Sequence, residues 1–210
     1  MNQQSPLSQS SVSDSAYGSD IGSTASLDDE YLETDYKHGR VYAVLYQHQH
    51  PWPIDEAEQD RLGEQFELYC ELFDNKLAHV SIDRPLTVLD VRSGTGCWAL
   101  EFADRNPGTE VLGIDLLAHM MPRWVPANCE FVVENLTSSH WHQSYKNVDF
   151  IHIGDIGGDY QLLSILLSGS YKCCKHKGMV EIWGTRLQLD DPDGDSPLHT
   201  LYKNMERAYQ

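Results

Sequence analysis

Short apolar runs alternate with amphipathic or polar stretches along the part of the chain that follows Pro85. Five of these runs are rich in β-branched or large apolar residues and predict strands: LTVLDV, TEVLGID, CEFVVEN, VDFIHI and GMVEIWG. The segment GCWALEFADRN between the first two predicts a helix. Because strands that alternate with helices are joined by right-handed crossovers, residues 85–210 are expected to form an α/β domain. Its doubly wound, mostly parallel sheet would carry helices on both faces.

The stretch before Pro85 has two parts of different character. Residues 1–34 are rich in Ser, Gln, Gly and Asp and lack a periodic apolar pattern, which predicts a disordered tail. Residues 35–84 are expected to form a helical entry region. There Asp55 and Glu58 predict a capping pair ahead of apolar residues at helical spacing, so a helix is expected from residue 55 to about residue 79.

Composition and charge narrow the classes of function. The formal net charge of −17 over 210 residues argues against a general affinity for nucleic acid or for an anionic membrane. Five cysteines without a CxxC spacing predict a reduced, intracellular protein of the cytoplasm or nucleus. Neither a secretory leader nor a membrane-spanning segment is expected. His48 and His50 have no companions for a metal site and are expected to lie in a solvated loop.

The segment DVRSGTG, at the end of the first predicted strand, carries the candidate chemistry. In doubly wound sheets ligands bind at the carboxyl ends of strands, and glycines such as Gly94 and Gly96 let the backbone approach a ligand closely. Asp90 lies in the first strand, and Asp115 ends the second, where an acid can accept both hydroxyls of a ribose. Nicotinamide and S-adenosylmethionine enzymes share this arrangement. The phosphate-binding form GxGxxG is missing, which disfavours a nicotinamide-dependent reductase.

The third predicted strand ends in Glu134 and Asn135. A carboxylate or amide oxygen at this position is a suitable acceptor for the exocyclic amine of adenine. The alternative is a polar strand end that faces water, and the residues alone leave both open.

The chain resembles the fungal LaeA-type (UMTA-like) methyltransferases from about residue 36 to its end. Five segments carry the resemblance: YKHGRVYAVLYQHQHPWPIDEAEQDRL, VLDVRSGTGCWALEFADRNPGTEVLGIDL, WVPANCEFVVENL, VDFIHI and KHKGMVEIWG. Members of this family are class I S-adenosylmethionine-dependent proteins of fungal secondary metabolism, some of them nuclear regulators beside velvet-domain proteins and others tailoring enzymes. The resemblance implies a Rossmann-like class I methyltransferase fold with S-adenosyl-L-methionine as cofactor. It also implies a small-molecule or protein acceptor, and velvet-type regulatory proteins as partners.

The resemblance also implies seven cofactor-binding residues. The methionine end of the cofactor would be lined by Asp90, Gly94 and Gly96, the ribose held by Asp115, and the adenine bordered by Glu134, Asn135 and Leu136.

Two features depart from the family pattern. Arg92 stands where the family's DVGTGTG has its first glycine. Its side chain would enter space that the ligand needs and weaken binding, unless it turns aside and pairs with the ligand's carboxylate. After the fifth strand the chain offers a loop and one helix, so the sheet is expected to be truncated before the antiparallel hairpin of class I methyltransferases, with an exposed edge.

No residue is assigned as a catalytic base. His152 lies in a buried strand pattern and is expected to be a core histidine, whereas His140 and His142 are expected at the surface. Asp155, just after the fourth strand, is a candidate by position alone. Two functions therefore stay open: an S-adenosylmethionine-dependent methyltransferase in secondary metabolite biosynthesis or its regulation, and a non-catalytic relative that regulates or scaffolds through protein contacts.

Overall fold

The computed structural model of the chain describes residues 28–82, 85–138, 140–154, 156, 159–184 and 197–208. Its N-terminal part is a 3-10 turn followed by an antiparallel hairpin: Asp29–Leu32, then strands β1 (Thr34–Lys37) and β2 (Arg40–Ala43). The sequence does not predict this hairpin. The turn falls inside the stretch predicted to be a disordered tail, and residues 1–27 of that stretch lie outside the described residues.

Helix α1 spans Glu56–Leu72 and begins where the capping pair predicts. Asp55 is the N-cap, and its carboxylate accepts a hydrogen bond from the Glu58 N–H at 3.2 Å. The helix ends earlier than the expected residue 79. Asp74 and Asn75 adopt the left-handed backbone conformation, with φ of 52° and 58°, which an α-helix cannot continue through.

Five parallel strands form the central sheet: β3 (Thr87–Val91), β4 (Glu110–Asp115), β5 (Cys129–Val133), β6 (Val148–Ile153) and β7 (Cys174–Ile182). Their order across the sheet is β5-β4-β3-β6-β7, and every neighbouring pair is parallel. The order reverses between β3 and β6. In open α/β sheets this reversal opens a crevice at the carboxyl ends of the two strands.

Helices cover both faces of the sheet. Helix α2 (Cys97–Arg105) packs with α1 against one face, where Val88, Val111 and Phe150 meet Trp98 and Phe102. Helix α3 (Tyr160–Cys173) and the 3-10 turn Trp141–Ser144 cover the other face, which Leu89, Ile114 and Ile151 line. A further 3-10 turn, Ala118–Met120, follows β4, and α4 spans Pro197–Ala208. The structure thus confirms the predicted doubly wound parallel sheet.

Candidate functional site

The turn between β3 and α2 is held in a left-handed conformation at alternate residues. Arg92, Gly94 and Gly96 have φ of 60°, 54° and 77°. A Cβ on Gly96 would lie 2.6 Å from the Phe131 ring, so this glycine lets the turn pack against β5. A Cβ on Gly94 would meet nothing within 4 Å. The backbone at Gly94 therefore borders open space at the strand ends, where a ligand can approach it.

Asp115 ties this turn to the end of β4. Its Oδ2 accepts a hydrogen bond from the Gly94 N–H at 2.9 Å, and its Oδ1 accepts one from the Leu117 N–H at 3.1 Å. Each carboxylate oxygen can accept more than one hydrogen bond. Asp115 therefore fixes the turn and keeps acceptor capacity for two hydroxyl groups of a ligand.

Asp90 lies in the core rather than at the crevice. It is 1 % exposed, and its Oδ1 is hydrogen-bonded to Nδ1 of His152 at 2.7 Å. The His152 ring stacks on Trp98, with ring centroids 4.0 Å apart. Burial raises the pKa of Asp90, although the bond with His152 opposes this. Alternation along β3 turns Asp90 beneath α2 together with Val88, and its implied role at the methionine end stays a prediction.

The pair Asp90–His152 also settles the expectation for the histidine. His152 is 3 % exposed and hydrogen-bonded, so it is the core histidine that the strand pattern predicts.

The end of β5 supplies one carboxylate and two side chains with local roles. Glu134 is partly buried, and burial raises its pKa. Asn135 closes a local turn, because its Oδ1 accepts hydrogen bonds from the N–H and the hydroxyl of Thr137 at 3.1 and 2.7 Å. Leu136 is 5 % exposed and packs in the core with Trp141 and Tyr145. The implied contact of Leu136 with adenine stays a prediction.

The N-terminal segment packs across the same edge of the sheet. Ala43 and Ile54 form a buried cluster with Leu117 and Met120, which follow β4. Burial and a hydrogen bond with Tyr31 raise the pKa of Tyr46, and the Glu134 carboxylate contributes to that rise. Tyr46 thus lies within electrostatic range of the β5 end.

His50 lies within electrostatic range of Asp115 and Arg92, which the sequence does not predict. It is partly buried, and its Nε2 has no hydrogen-bond partner within the described part of the chain. Burial lowers the pKa of His50, the Asp115 carboxylate opposes this, and the Arg92 guanidinium lowers that pKa further. The expectation of a solvated loop is therefore wrong for His50 and confirmed for His48, which is exposed. Pro53 and Ile54, which follow His50, are buried and attach this loop to the core.

The remaining candidates of the sequence are two histidines and one aspartate. His140 is exposed and His142 is partly buried, whereas Asp155 lies outside the described residues. Among the residues that the structure describes, no group of three or more His, Cys, Asp or Glu side chains is placed to hold a metal ion. Across the same residues, no helix is both long and apolar enough to cross a bilayer.

Comparisons with curated proteins find relatives among fungal methyltransferases. The methyltransferase pytC of Aspergillus terreus is 31 % identical over 184 residues, which are 87 % of this chain and 56 % of pytC. The secondary metabolism regulator laeA of Aspergillus flavus is 33 % identical over 122 residues, 56 % of this chain and 32 % of laeA. The protein-methionine methyltransferase laeA of Emericella nidulans is 32 % identical over 122 residues, 56 % of this chain and 31 % of that relative. The chain spans about half the length of pytC and a third of the laeA proteins. No family model matches the chain.

Among solved structures, an O-methyltransferase family protein from Burkholderia thailandensis aligns with 72 % of this chain and 47 % of its own chain. The TM-score is 0.50 and the sequence identity 15 %. At this identity the likeness concerns the fold.

Proposed function

Because this chain is a relative of the fungal LaeA-type class I methyltransferases, we propose that it binds S-adenosyl-L-methionine at the carboxyl ends of β3, β4 and β5. The observation that carries the proposal is the open backbone at Gly94, which Asp115 holds at the point where the strand order reverses. We further propose that the bound cofactor serves methyl transfer in secondary metabolite biosynthesis or its regulation.

The residues present fit this cofactor. Asp115 offers two partly buried carboxylate oxygens for the hydroxyls of a ribose. Glu134, one strand further along, offers a carboxylate for the exocyclic amine of adenine. Gly94 leaves room for the ligand against the backbone, and Gly96 holds the turn close to β5.

The cofactor supplies an electrophilic methyl group when bound, so the protein's own contribution is to bind and align. Asp115 and Glu134 would set the position of the adenosine. The N-terminal segment, held by Ala43 and Ile54 on Leu117 and Met120, would shield that position from water. The acceptor of the methyl group is a small molecule or a protein. Because one relative is named a protein-methionine methyltransferase, candidate acceptors include proteins.

The alternative function is a non-catalytic regulator or scaffold that acts through protein contacts, with velvet-type proteins as candidate partners. The observation in its favour is Arg92, which stands at the position of the family's first glycine and has a left-handed backbone conformation. Methyl transfer by the purified chain would exclude this alternative.

The test is titration calorimetry of the full chain with S-adenosylhomocysteine. We expect a dissociation constant in the micromolar range, and a loss of about tenfold or more in Asp115→Ala, because hydrogen bonds to a charged group are lost. The matched control is Asp104→Ala, an exposed aspartate on α2, which should bind like the unmodified chain. Binding that is absent from the unmodified chain, or equal in both variants, would contradict the proposed site.

A further inference from the structure

Arg92 is a partly buried cation without an anionic partner among the residues that the structure describes. Three other arginines of the described chain each pair with a carboxylate, at 2.7, 2.7 and 2.6 Å: Arg40 with Asp55, Arg61 with Glu58 and Arg105 with Glu101. The Arg92 side chain makes no hydrogen bond or ion pair with a described residue. In a chain with a net charge of −17, acidic partners are plentiful. A partly buried guanidinium that no described carboxylate pairs with is costly, which favours an anionic partner at this position.

The backbone at Arg92 is fixed by its neighbour across the crevice. The Gly154 N–H, at the end of β6, donates to the Val91 carbonyl at 2.9 Å. A Cβ on Gly154 would lie 2.6 Å from the Arg92 carbonyl oxygen, so the two backbones are in close contact. An arginine with φ of 60° carries a steric cost that glycine would avoid. Such residues persist where packing holds them, and they concentrate at ligand sites.

The turn that contains Arg92 leaves hydrogen-bond donors for a negative ligand group. Helix α2 begins just after this turn, its N-cap Gly96 provides no side-chain cap, and its first turn contains no acid. The Asp90 carboxylate lies beneath this N-terminus near the Ala99 N–H and partly offsets its positive end. The Ser93 Oγ is buried and has no hydrogen-bond partner within the described part of the chain. The Asp115 carboxylate, which accepts hydrogen bonds from Gly94 and Leu117, is the opposing negative charge in this crevice.

We propose that Arg92 is a carboxylate-binding residue of this site, and that it makes the site select ligands with a free α-amino-acid carboxylate over adenosine fragments that lack one. This inference rests on the proposed cofactor site and adds a specificity residue that the family pattern, with glycine at this position, does not contain. A guanidinium can bind a carboxylate through two parallel hydrogen bonds, which a glycine backbone cannot provide.

Two ligands separate this role from a merely steric one. S-adenosylhomocysteine carries the carboxylate, whereas 5′-methylthioadenosine has the same adenosine and thioether without the amino acid. Titration calorimetry would compare both ligands with the full chain, with Arg92→Met and with Arg92→Lys. Arg123→Met is the matched control, because Arg123 is an exposed arginine in the loop after β4.

We expect Arg92→Met to bind S-adenosylhomocysteine about tenfold or more weakly and to bind methylthioadenosine within about twofold of the unmodified chain. The affinity of Arg92→Lys for S-adenosylhomocysteine should lie between those of Arg92→Met and the unmodified chain, because lysine keeps the charge and loses the paired hydrogen bonds. Arg123→Met should leave both affinities unchanged. Thermal unfolding of each variant would verify that it is folded.

Three results would overturn the inference. Equal or tighter binding of S-adenosylhomocysteine by Arg92→Met would show that Arg92 obstructs the site or has no part in it. Binding of methylthioadenosine by the unmodified chain without binding of S-adenosylhomocysteine would show that Arg92 excludes the carboxylate, while the adenosine site stands. If neither ligand bound to any variant, the proposed function would fall together with this inference.

Discussion

At the scale of single residues, Asp115 and Asp90 show that two aspartates on adjacent strands can have different structural roles. Asp115 ends its strand, is partly buried and holds the open turn through the Gly94 N–H. Asp90 lies in the middle of the sheet, is 1 % exposed and is hydrogen-bonded to His152. Both follow apolar residues in the sequence. The difference arises because Asp90 is still inside β3, whereas Asp115 lies where β4 leaves the sheet.

We expect Asp90→Ala to destabilise the fold by about 3 kcal/mol or more, because it leaves the buried Nδ1 of His152 without its partner. Asp90→Asn should cost less, since the amide keeps a carbonyl acceptor of similar shape. Urea unfolding followed by tryptophan fluorescence measures both values. Similar stabilities for Asp90→Ala and the unmodified chain would show that the buried pair contributes nothing.

The burial of Asp90 follows from alternation along a strand and could be predicted from the sequence. Val88 and Asp90 are two residues apart, so both must lie on the same face of β3. Since Val88 is in an apolar run, that face is a core face. Alternation does not predict the burial of Leu136, because Leu136 follows the strand and is buried by Trp141 and Tyr145.

At the scale of elements, Asp55 joins the hairpin to the first helix. Its carboxylate accepts two hydrogen bonds from the Arg40 guanidinium at 2.7 Å each, one from the Val41 N–H at 3.1 Å and the cap bond from Glu58. The hydrogen bonds from Arg40 hold the pKa of Asp55 well below its usual range. One side chain therefore caps α1 and anchors β2.

Since the pKa of Asp55 is lower in the folded state, the stability that this carboxylate contributes is present above about pH 4 and is lost as the pH falls below it. We expect Asp55→Asn to lower the melting temperature at neutral pH and to show a shallower loss of stability in acid. Thermal unfolding across this range, with Asp104→Asn as control, measures the difference. Parallel pH profiles for Asp55→Asn and the unmodified chain would contradict it.

The start of α1 was predictable because a capping pair is local in sequence, and the end was not. The left-handed residues Asp74 and Asn75 are of types that tolerate this conformation, but such residues also occur within helices. The sequence indicates the hairpin less clearly than the start of α1. Its turn is His38–Gly39, both with positive φ, but β1 is mostly exposed and lacks the alternation that marks a half-buried strand.

At the scale of the whole molecule, the parallel sheet followed from the alternation of elements, whereas the wall of the candidate site did not. Gly94, Asp115 and Glu134 come from three successive strand ends, which the order of a doubly wound sheet brings together. The N-terminal segment reaches the same edge through Ala43 and Ile54, which pack against residues far along the chain. No local pattern encodes that contact.

His50 gives a measurable consequence of this packing. Because burial is the main cause that lowers its pKa in the folded state, the unfolded chain binds the proton more tightly just below pH 6.5. Stability should therefore decrease as the pH falls through that range, with Asp115 and Glu58 opposing the effect and Arg92 adding to it. We expect His50→Gln to flatten this part of the stability profile.

The matched control is His48→Gln, two residues away in the same loop, whose side chain is exposed and whose replacement should leave the profile unchanged. Denaturant unfolding at a series of pH values from about 7.5 down to about 5 covers the range in which a histidine titrates. A flattened profile in His50→Gln alone would place the loop against the crevice in solution. Equal profiles in the two variants would mean that the N-terminal segment does not bury His50 there, and the adenosine position would then lack the wall that shields it from water.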